Sequence, residues 1–227
     1  MVLRARIGLI AAISLLGLSP APALAIAPNQ VDDFQDGTLQ NWSGNSAPTN
    51  IASGGPAGAT DRYLRISASS APLGAFNKVQ WSGNYSLAAI DHIDIHLNNF
   101  GPNAVSIRIM LMTPGCDFGG TACTAWASTN ATNLAASSGW VLASFSVKEA
   151  DLTRVLGSSS YATSFPNIER LLIRHDSGAP SPPGSPAIVT ATLGIDNVLP
   201  EPGGPLGLIV GAALLAATPR SRRPRRT

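Results

Sequence analysis

Stretches in which apolar and polar residues alternate recur through the middle of the chain, and this two-residue period predicts β-strands. The clearest cases are His92 to Asn98 and Val105 to Met112, each with a branched aliphatic residue at every second position. Tyr63 to Ser67 is a shorter strand. Three more strands are predicted around these apolar positions: Val141, Ala143, Phe145 and Val147; Leu171 and Ile173; and Val189, Ala191, Leu193 and Ile195. Turn signals separate the stretches, so we expect an all-β fold, a jelly-roll-like antiparallel β-sandwich.

Two segments depart from the strand pattern. Lys148 to Leu156 is the only segment of the domain whose pattern predicts a helix, and it is short. Ala179 to Pro186 contains four prolines, which predicts a surface loop and not a domain boundary. Because no internal repeat is visible either, we expect one domain with one core over residues 28–199.

The C-terminal end combines three features in a fixed order. Pro200, Glu201 and Pro202 precede an uncharged segment, residues 203–219, which is followed by five arginines. As a helix this segment would reach roughly 26 Å at about 1.5 Å per residue, slightly short of a hydrocarbon core of about 30 Å. We expect a marginal membrane anchor with its arginines in the cytoplasm. A buried helix of a soluble core is the alternative, and the arginine cluster disfavours it.

This order resembles the PEP-CTERM sorting signal, which exosortase-type transpeptidases recognise on exported proteins of Gram-negative bacteria. The resemblance implies a sorting signal with a transmembrane helix over residues 200–227 and cleavage near Pro200, Glu201 and Pro202. It also implies a location at the cell surface or in the extracellular matrix, and an association with exopolysaccharide production.

The N-terminal end has the features of an export signal. Arg4 and Arg6 precede an apolar stretch from Ile7 to Leu18, and small-residue cleavage sites end at Ala25 and Ala27. The pattern predicts a signal peptide over residues 1–27 and export through the Sec machinery. An uncleaved membrane helix is the alternative, which the shortness of the apolar stretch disfavours.

Charge separates the termini from the domain. The whole chain has 15 Lys and Arg against 13 Asp and Glu, but residues 28–199 hold 8 basic and 12 acidic residues. The basic surplus therefore belongs to the two terminal signals. Nothing in the composition of the domain favours nucleic-acid binding.

Turn motifs of the domain follow one another in a second recognisable order, formed by Asp33 to Gly37 with Trp42, Gly54 to Gly58 with Asp61, Trp81 to Tyr85, Ser138 to Trp140, and Ile195 to Val198. This order resembles jelly-roll domains akin to the carbohydrate-binding modules of bacterial surface proteins. The resemblance implies the sandwich fold and names no ligand.

Cys116 and Cys123 are the only two cysteines of the chain. An exported protein meets an oxidising compartment, so the spacing predicts a disulfide that closes a short loop. On the chain-entropy model the bond would add about 2 to 3 kcal/mol of stability. Metal binding is the alternative, but two thiols without a nearby histidine fall short of the four ligands of zinc.

His92, Asp94 and His96 share one face of a predicted strand because side chains alternate along it. Imidazole and carboxylate groups at this spacing can share a transition metal or present a polar surface to a sugar. A solvated strand face is the alternative. A site with three histidines would need His175 on a neighbouring strand.

Aromatic residues at turns and strand starts suggest binding, because an exposed ring can stack on a pyranose. Most tryptophans are expected in the core. We expect Tyr85 and Trp126 to be the exposed aromatic residues. Arg108, on the polar side of its strand, is a further candidate for ligand binding.

The jelly-roll resemblance also implies a structural calcium ion where the first strand meets the last. Asp33, Asp36, Asp61 and Asp196 occupy the matching segments. Calcium takes about 6 to 8 oxygen ligands, so carbonyl groups around Gly55 would complete the site. The alternative is that these aspartates cap turns. No other cofactor is expected.

Catalytic motifs are missing from the sequence: there is no Gly-x-Ser-x-Gly, no His-Glu-x-x-His and no phosphate-binding loop. We therefore expect no enzyme. The sequence predicts an exported, surface-sorted protein whose sandwich binds or organises extracellular polysaccharide. A structural surface or biofilm-matrix protein without specific sugar binding is the second hypothesis, and a metal-dependent hydrolase is the third.

Overall fold

The computed structural model describes residues 26–116 and 122–203. The predicted signal peptide up to residue 25 and the sorting segment after Gly203 lie outside the described residues. Within the described ranges, no helix is long and apolar enough to cross a membrane.

Eleven strands make up most of the described chain. In chain order they are β1 (Thr49–Ile51), β2 (Tyr63–Pro72), β3 (Gly74–Asn77), β4 (Ile90–Asn99), β5 (Val105–Met112), β6 (Ala125–Ser128), β7 (Thr132–Leu134), β8 (Trp140–Ser146), β9 (Leu152–Leu156), β10 (Arg170–His175) and β11 (Ile188–Pro202). All six strands predicted from alternation are confirmed.

The strands form two antiparallel sheets. One has five strands in the order β1-β2-β11-β4-β8, and the other has the order β3-β10-β5-β6-β9, with β7 paired to β5. Consecutive strands of the chain often lie in different sheets, as in a jelly roll. The predicted jelly-roll-like sandwich is thus the observed fold.

Branched aliphatic residues fill the space between the sheets. The alternation of β4 and β5 turns one side of each strand inward, and the following positions are fully buried: Ile93, Ile95, Leu97, Ile107, Ile109 and Leu111. Burying such a side chain contributes about 1.5 to 3 kcal/mol. The two-residue period therefore fixes which side of each strand faces the other sheet.

The helix predicted over Lys148 to Leu156 is wrong. A short 3-10 helix, Glu149–Asp151, ends at Leu152, whose backbone is extended, and the rest of the segment is β9. Pairing with β6 overrides the weak helical pattern, and the β-branched Thr153 and Val155 suit a strand. One short α-helix that was not predicted, α1 (Tyr161–Ser164), begins after Ser160, whose side chain accepts a hydrogen bond from the Thr163 N–H.

A buried carboxylate fastens the N-terminal segment to the last strand. Asp32 bridges to Val198 through two backbone hydrogen bonds. Its Oδ2 accepts the indole N–H groups of Trp42 and Trp81, both at 2.6 Å, and Gln80 donates to Oδ1 at 3.2 Å. Burial raises the pKa of Asp32, while these donors oppose the rise.

The sandwich extends on both sides of the predicted range 28–199. Ile26 is buried in the core, and β11 continues to Pro202. Residues 26–203 hold both sheets and the whole of this core. They therefore have what a domain needs to fold on its own.

Candidate functional site

The outer surface of the five-stranded sheet carries the polar row predicted from the sequence, and we call it the open face. Three strands run side by side there, with β4 between β11 and β8. The open face is defined by these residues: Gly194, Asp196, Leu199 and Glu201 on β11; His92, Asp94, His96 and Asn98 on β4; and Trp140, Leu142, Ser144 and Ser146 on β8.

Strand register arranges the open face in four rows. They are Gly194, Asn98 and Trp140; Asp196, His96 and Leu142; Leu199, Asp94 and Ser144; and Glu201, His92 and Ser146. At about 3.4 Å per residue, the four rows cover roughly 20 Å along the strands. An extended ligand can therefore contact several rows at once.

Three aromatic rings lie together at one end of the open face, and we call them the aromatic patch: Tyr63, Phe100 and Trp140. The Tyr63 ring stacks on Phe100 with centroids 5.5 Å apart, and the Trp140 ring meets both edge-on at 5.2 and 6.0 Å. The Trp140 indole N–H donates to the Gly54 carbonyl at 2.9 Å, and Phe100 is 42% exposed. The patch combines a fixed geometry with an accessible ring surface.

Gly194 lets two of these rings lie directly on the sheet. A Cβ atom at this position would be 2.8 Å from ring atoms of both Phe100 and Trp140. Such a distance is too short for any packing without displacement of the rings. The absence of a side chain at Gly194 is therefore part of the aromatic patch.

Polar groups continue the open face beyond the aromatic patch. Asp94 Oδ1 and His96 Nδ1 are inaccessible to solvent and lack a hydrogen-bond partner within the described ranges. Burial raises the pKa of Glu201, as does the nearby Asp94, while His92 lowers it. A buried polar atom without a hydrogen-bond partner costs free energy. A shift of these side chains that lets a ligand or a water pair the two atoms would therefore be favourable.

A site with three histidines does not form. His175 lies on β10 in the other sheet, where the backbone N–H of Ser106 donates to its Nδ1 at 3.0 Å. Among the described residues, no group of three or more His, Cys, Asp or Glu side chains is arranged to hold a metal ion. A transition-metal site at His92, Asp94 and His96 is thus unsupported.

The carboxylates of the predicted calcium site divide into two sets. Asp196 is fully buried, its Oδ1 has no partner in the described chain, and its pKa is raised to about 7 by burial and by the nearby Asp61 and Asp33. Asp36 is exposed, and both of its oxygens accept from the Thr38 hydroxyl. Its role is therefore the capping of a turn.

A glycine brings backbone close to this cluster. A Cβ atom at Gly55 would lie 2.5 Å from Asp61 Oδ2, which already accepts the Ala57 N–H at 2.7 Å. The negative charges of Asp61 and Asp33 raise the pKa of Asp196, but these side chains are not arranged as a metal site within the described ranges. A calcium ion here would need backbone carbonyl groups to complete its oxygen ligands.

The outer surface of the six-stranded sheet differs from the open face, and we call it the sealed face. It is defined by Arg108, Met110 and Met112 on β5; Arg170, Leu172 and Arg174 on β10; and Ala125 and Ala127 on β6. All but Leu172 are buried. The loop of residues 177–187, which contains the predicted proline-rich segment, packs over this surface and leaves a groove of about 50 Å³ beside Leu172 and Pro183.

Two arginines hold that loop in position. Arg174 donates to the Pro182 carbonyl, the Ser181 side chain and Asp176 Oδ2, the last at 2.7 Å. Arg108 donates to the Gly178 carbonyl in the loop, and also to the carbonyl oxygens of Ser128 and Asp176. The predicted ligand-binding role of Arg108 therefore conflicts with its burial, because the guanidinium is used within the protein and lies on the sheet opposite His92.

Comparison with solved structures gives the class of fold. The solution structure of CtCBM11 matches with a TM-score of 0.50 and 16% identity over 79% of this chain and 97% of that one. A family 11 carbohydrate-binding module from Clostridium thermocellum, in complex with a beta-1,3-1,4-mixed-linked tetrasaccharide, matches with a TM-score of 0.48 and 16% identity over 76% and 94%. The CBM22-1 xylan-binding domain from Paenibacillus barcinonensis Xyn10C matches with a TM-score of 0.47 and 12% identity over 79% and 99%.

The fold is that of a carbohydrate-binding-module jelly roll. No protein-family model and no curated protein matches the sequence. At 16% identity the likeness concerns the fold and not the ligand.

The predicted disulfide between Cys116 and Cys123 is confirmed. Both cysteines are buried and pack with Met110 and Met112 beside the sealed face. The bond therefore also contributes to the packing of this side of the jelly roll.

The expected exposure of Tyr85 and Trp126 is wrong. Tyr85 is 1% exposed and donates its hydroxyl to the Trp81 carbonyl at 3.1 Å. Trp126 is 7% exposed because its register opposite Leu111 turns it into the core. The aromatic patch offers accessible ring surface instead, since Phe100 is 42% exposed and Trp140 is half-buried.

The Pro-Glu-Pro motif lies inside β11 and not after it. Pro200 pairs with Ile93, Glu201 with His92, and Pro202 with Ile90. Proline lacks the N–H group that a central strand needs, and it is tolerated where a strand is paired on one side only. The motif is therefore both the end of the last strand and part of one row of the open face.

Proposed function

We propose that the chain is a non-catalytic protein whose jelly roll binds extracellular polysaccharide through the open face. The single observation that carries this proposal is the aromatic patch lying in line with the polar rows of β4 and β8. Sugar rings present apolar faces and hydroxyl groups, so they need both kinds of surface. Carbohydrate binding is also the property after which the structurally similar modules are named.

The second hypothesis is a structural surface protein without specific sugar binding. It does not explain why aromatic rings and polar rows lie side by side on the open face. One of the two rings that Gly194 admits over the sheet, Phe100, is 42% exposed, and the sugar-binding proposal accounts for this exposure. The metal-dependent hydrolase lacks support, because the described residues form no cluster of metal ligands.

Binding of the purified segment 26–203 to a panel of polysaccharides tests the proposal, with affinity electrophoresis as the measurement. Trp140→Ala should weaken retention at least about tenfold, the effect of losing a central aromatic contact. Leu87→Ala, at a position 84% exposed and outside the open face, is the control and should change nothing. Equal retention of the Trp140 variant and the wild type, or no retention of either, would exclude the open face as the site.

We further propose that the protein is exported by the Sec machinery and sorted by an exosortase-type transpeptidase, with the membrane contacted during sorting. The order of Pro-Glu-Pro, uncharged segment and arginines supports this step, as does the N-terminal signal pattern. Since the motif pairs with β4, cleavage after Gly203 would leave β11 whole, whereas cleavage within the motif would remove part of a row.

Mass spectrometry of surface material tests the sorting proposal. The C-terminal peptide of the released protein should end shortly after Gly203, and Glu201→Ala should leave a longer form in the membrane. Recovery of peptides containing Arg222 and Arg223 from the released protein would contradict sorting.

A structural calcium ion at Asp33, Asp61 and Asp196 is the last part of the proposed function. The unpaired, buried Asp196 and its two acidic neighbours support it. Calcium would supply the positive charge that these carboxylates lack. Isothermal titration with calcium after chelation should show one site, and Asp196→Asn should remove it. Titration of Asp36→Asn should match the wild type, and the loss of binding in that variant alone would contradict the assignment.

A further inference from the structure

A polar cleft lies along the free edge of β8. Its volume is about 210 Å³, and it opens between β8 and the β6–β7 hairpin of the other sheet. We call it the edge cleft. Six polar residues define it: Ser128, Asn130, Thr132, Ser144, Ser146 and Asp151. The volume of the edge cleft is below the range of about 300 to 1,000 Å³ found for pockets of drug-sized ligands, so the space is on the scale of one sugar unit and not of a chain.

The edge cleft offers many hydrogen-bonding groups on fixed supports. Four hydroxyl groups, one amide and one carboxylate line it, and five of the six come from strands or the hairpin between them. The Ser146 hydroxyl donates to Asp151 Oδ2 at 2.6 Å, which orients the carboxylate. A carboxylate has about four acceptor positions, so Asp151 retains capacity for the hydroxyl groups of a ligand.

The charge of the lining selects the kind of ligand. None of the residues that line the edge cleft is Lys or Arg, and Asp151 brings a negative charge. An acidic sugar would therefore be repelled and would find no cation to pair with. A neutral unit rich in hydroxyl groups fits a lining of hydroxyl, amide and carboxylate groups.

The edge cleft is continuous with the open face through two residues. Ser144 and Ser146 line the cleft and also end the rows of Asp94 and His92. A chain that lies on the open face can thus bend over the edge of β8 and place one unit in the cleft. The lone edge of β8 adds backbone groups that no neighbouring strand uses.

We propose that the edge cleft binds one neutral sugar unit, the end or a side branch of the polysaccharide that the open face holds. This proposal rests on the proposed function and deepens it, since it specifies a neutral unit with free hydroxyl groups. Asn130 and Asp151 are its specificity-determining residues, because a site built to hydrogen-bond hydroxyl groups rejects ligands that lack them.

Chemical-shift mapping on ¹⁵N-labelled segment 26–203 tests the proposal. The probes are neutral tetrasaccharides of glucose, mannose, galactose and xylose, a galacturonic acid tetrasaccharide, and calcium chloride alone. At least one neutral probe should shift amides of both the open face and the edge cleft. Asn130→Ala and Asp151→Asn should each weaken its Kd at least about fivefold. Asn133→Ala is the matched control, exposed on β7 and outside the lining, and it should keep the wild-type Kd.

Each contrary result has a distinct meaning. Shifts confined to the aromatic patch would overturn the edge cleft and leave polysaccharide binding on the open face intact. A stronger response to the galacturonic acid probe, or a response of the cleft to calcium alone, would overturn the neutral-sugar assignment. If no amide shifts on addition of any of the sugars, both this proposal and the proposed function are wrong.

Discussion

The open face and the sealed face are outer surfaces of two sheets in the same sandwich, and they use their charged side chains differently. The sealed face carries three arginines, two of which bind carbonyl groups and a carboxylate of the protein's own loops. The open face carries three carboxylates and two histidines, and Asp94, His96 and Asp196 each keep a buried polar atom without a hydrogen-bond partner in the described ranges. On the sealed face Arg174 Nε also lacks a partner there, but the other two nitrogens of its guanidinium are bonded.

This difference shows which signal identifies a binding surface. An arginine on the polar side of a strand is a natural ligand-binding candidate, but Arg108 serves to hold the chain together. Unpaired polar atoms next to an exposed ring are the better indication, because folding has left their hydrogen bonds unmade. The contrast between the two faces rests on specific contacts, so substitutions on each can test it.

The largest effect is expected on the sealed face from Arg174→Ala. The variant removes the guanidinium that pairs with the buried Asp176, which then keeps only the N–H and hydroxyl of Ser181, and it removes the bonds from Arg174 to the loop. The free energy of unfolding should therefore fall by about 3 to 5 kcal/mol. Arg65→Ala, at an exposed arginine of β2, should change it by less than about 0.5 kcal/mol. Urea denaturation of both variants is the measurement. Equal losses would mean that the loop does not depend on this ion pair.

The second effect concerns the pH dependence of Asp196 under the open face. Its folded-state pKa of about 7 lies above the ordinary value of 3.8, so the folded protein holds this proton more tightly than the unfolded chain. The stabilisation that this proton gives to the folded state is full below about pH 4 and is lost as the pH rises to about 7. In the absence of calcium, stability should fall by about 2 to 3 kcal/mol between pH 5 and pH 8, at about 1.4 kcal/mol per pK unit.

Asp196→Asn should remove this part of the pH dependence, because the amide does not titrate. Urea denaturation across the pH range in excess chelator, and again in millimolar calcium, gives the comparison. Calcium should flatten the wild-type curve and leave the variant unchanged. Parallel curves for the wild type and the variant in chelator would show that Asp196 is ionised throughout.

Sequence patterns predict the sheets better than they predict the site, for a physical reason. Alternation along β4 and β5 reports burial directly, since side chains on opposite sides of a strand meet different surroundings. The same rule could not place Trp126, because all four residues of β6 are buried and show no alternation. The aromatic patch could not be predicted, because it joins Tyr63, Phe100 and Trp140 through pairings distant in sequence. Which loop covers which sheet likewise depends on tertiary contacts. The sequence therefore could not show that Arg108, predicted to bind a ligand, is buried.

The third effect tests the close contact that builds the aromatic patch. Gly194→Ala puts a Cβ atom against the rings of Phe100 and Trp140, so it should cost about 1 to 3 kcal/mol of stability through overpacking. It should also weaken polysaccharide retention several-fold by moving the rings. Gly184→Ala, where no atom lies within 4 Å of the new Cβ, is the matched control and should cost less than about 0.5 kcal/mol. A stable Gly194 variant with unchanged retention would show that the rings are not held by this contact.

The smallest effect is expected from Leu142→Ala on the open face, and Met110→Ala on the sealed face gives the contrast. Leu142 on the open face is 57% exposed, whereas Met110 on the sealed face is fully buried. Leu142→Ala should change the free energy of unfolding by less than about 0.5 kcal/mol, since little apolar contact is lost. Met110→Ala should lower it by about 2 to 5 kcal/mol, because it leaves a cavity in the buried cluster that Met110 forms with the two cysteines. Thermal and urea denaturation of the two variants measure both values. A large loss for Leu142→Ala would mean that another part of the protein covers the open face, and the face would then be unavailable to a polysaccharide.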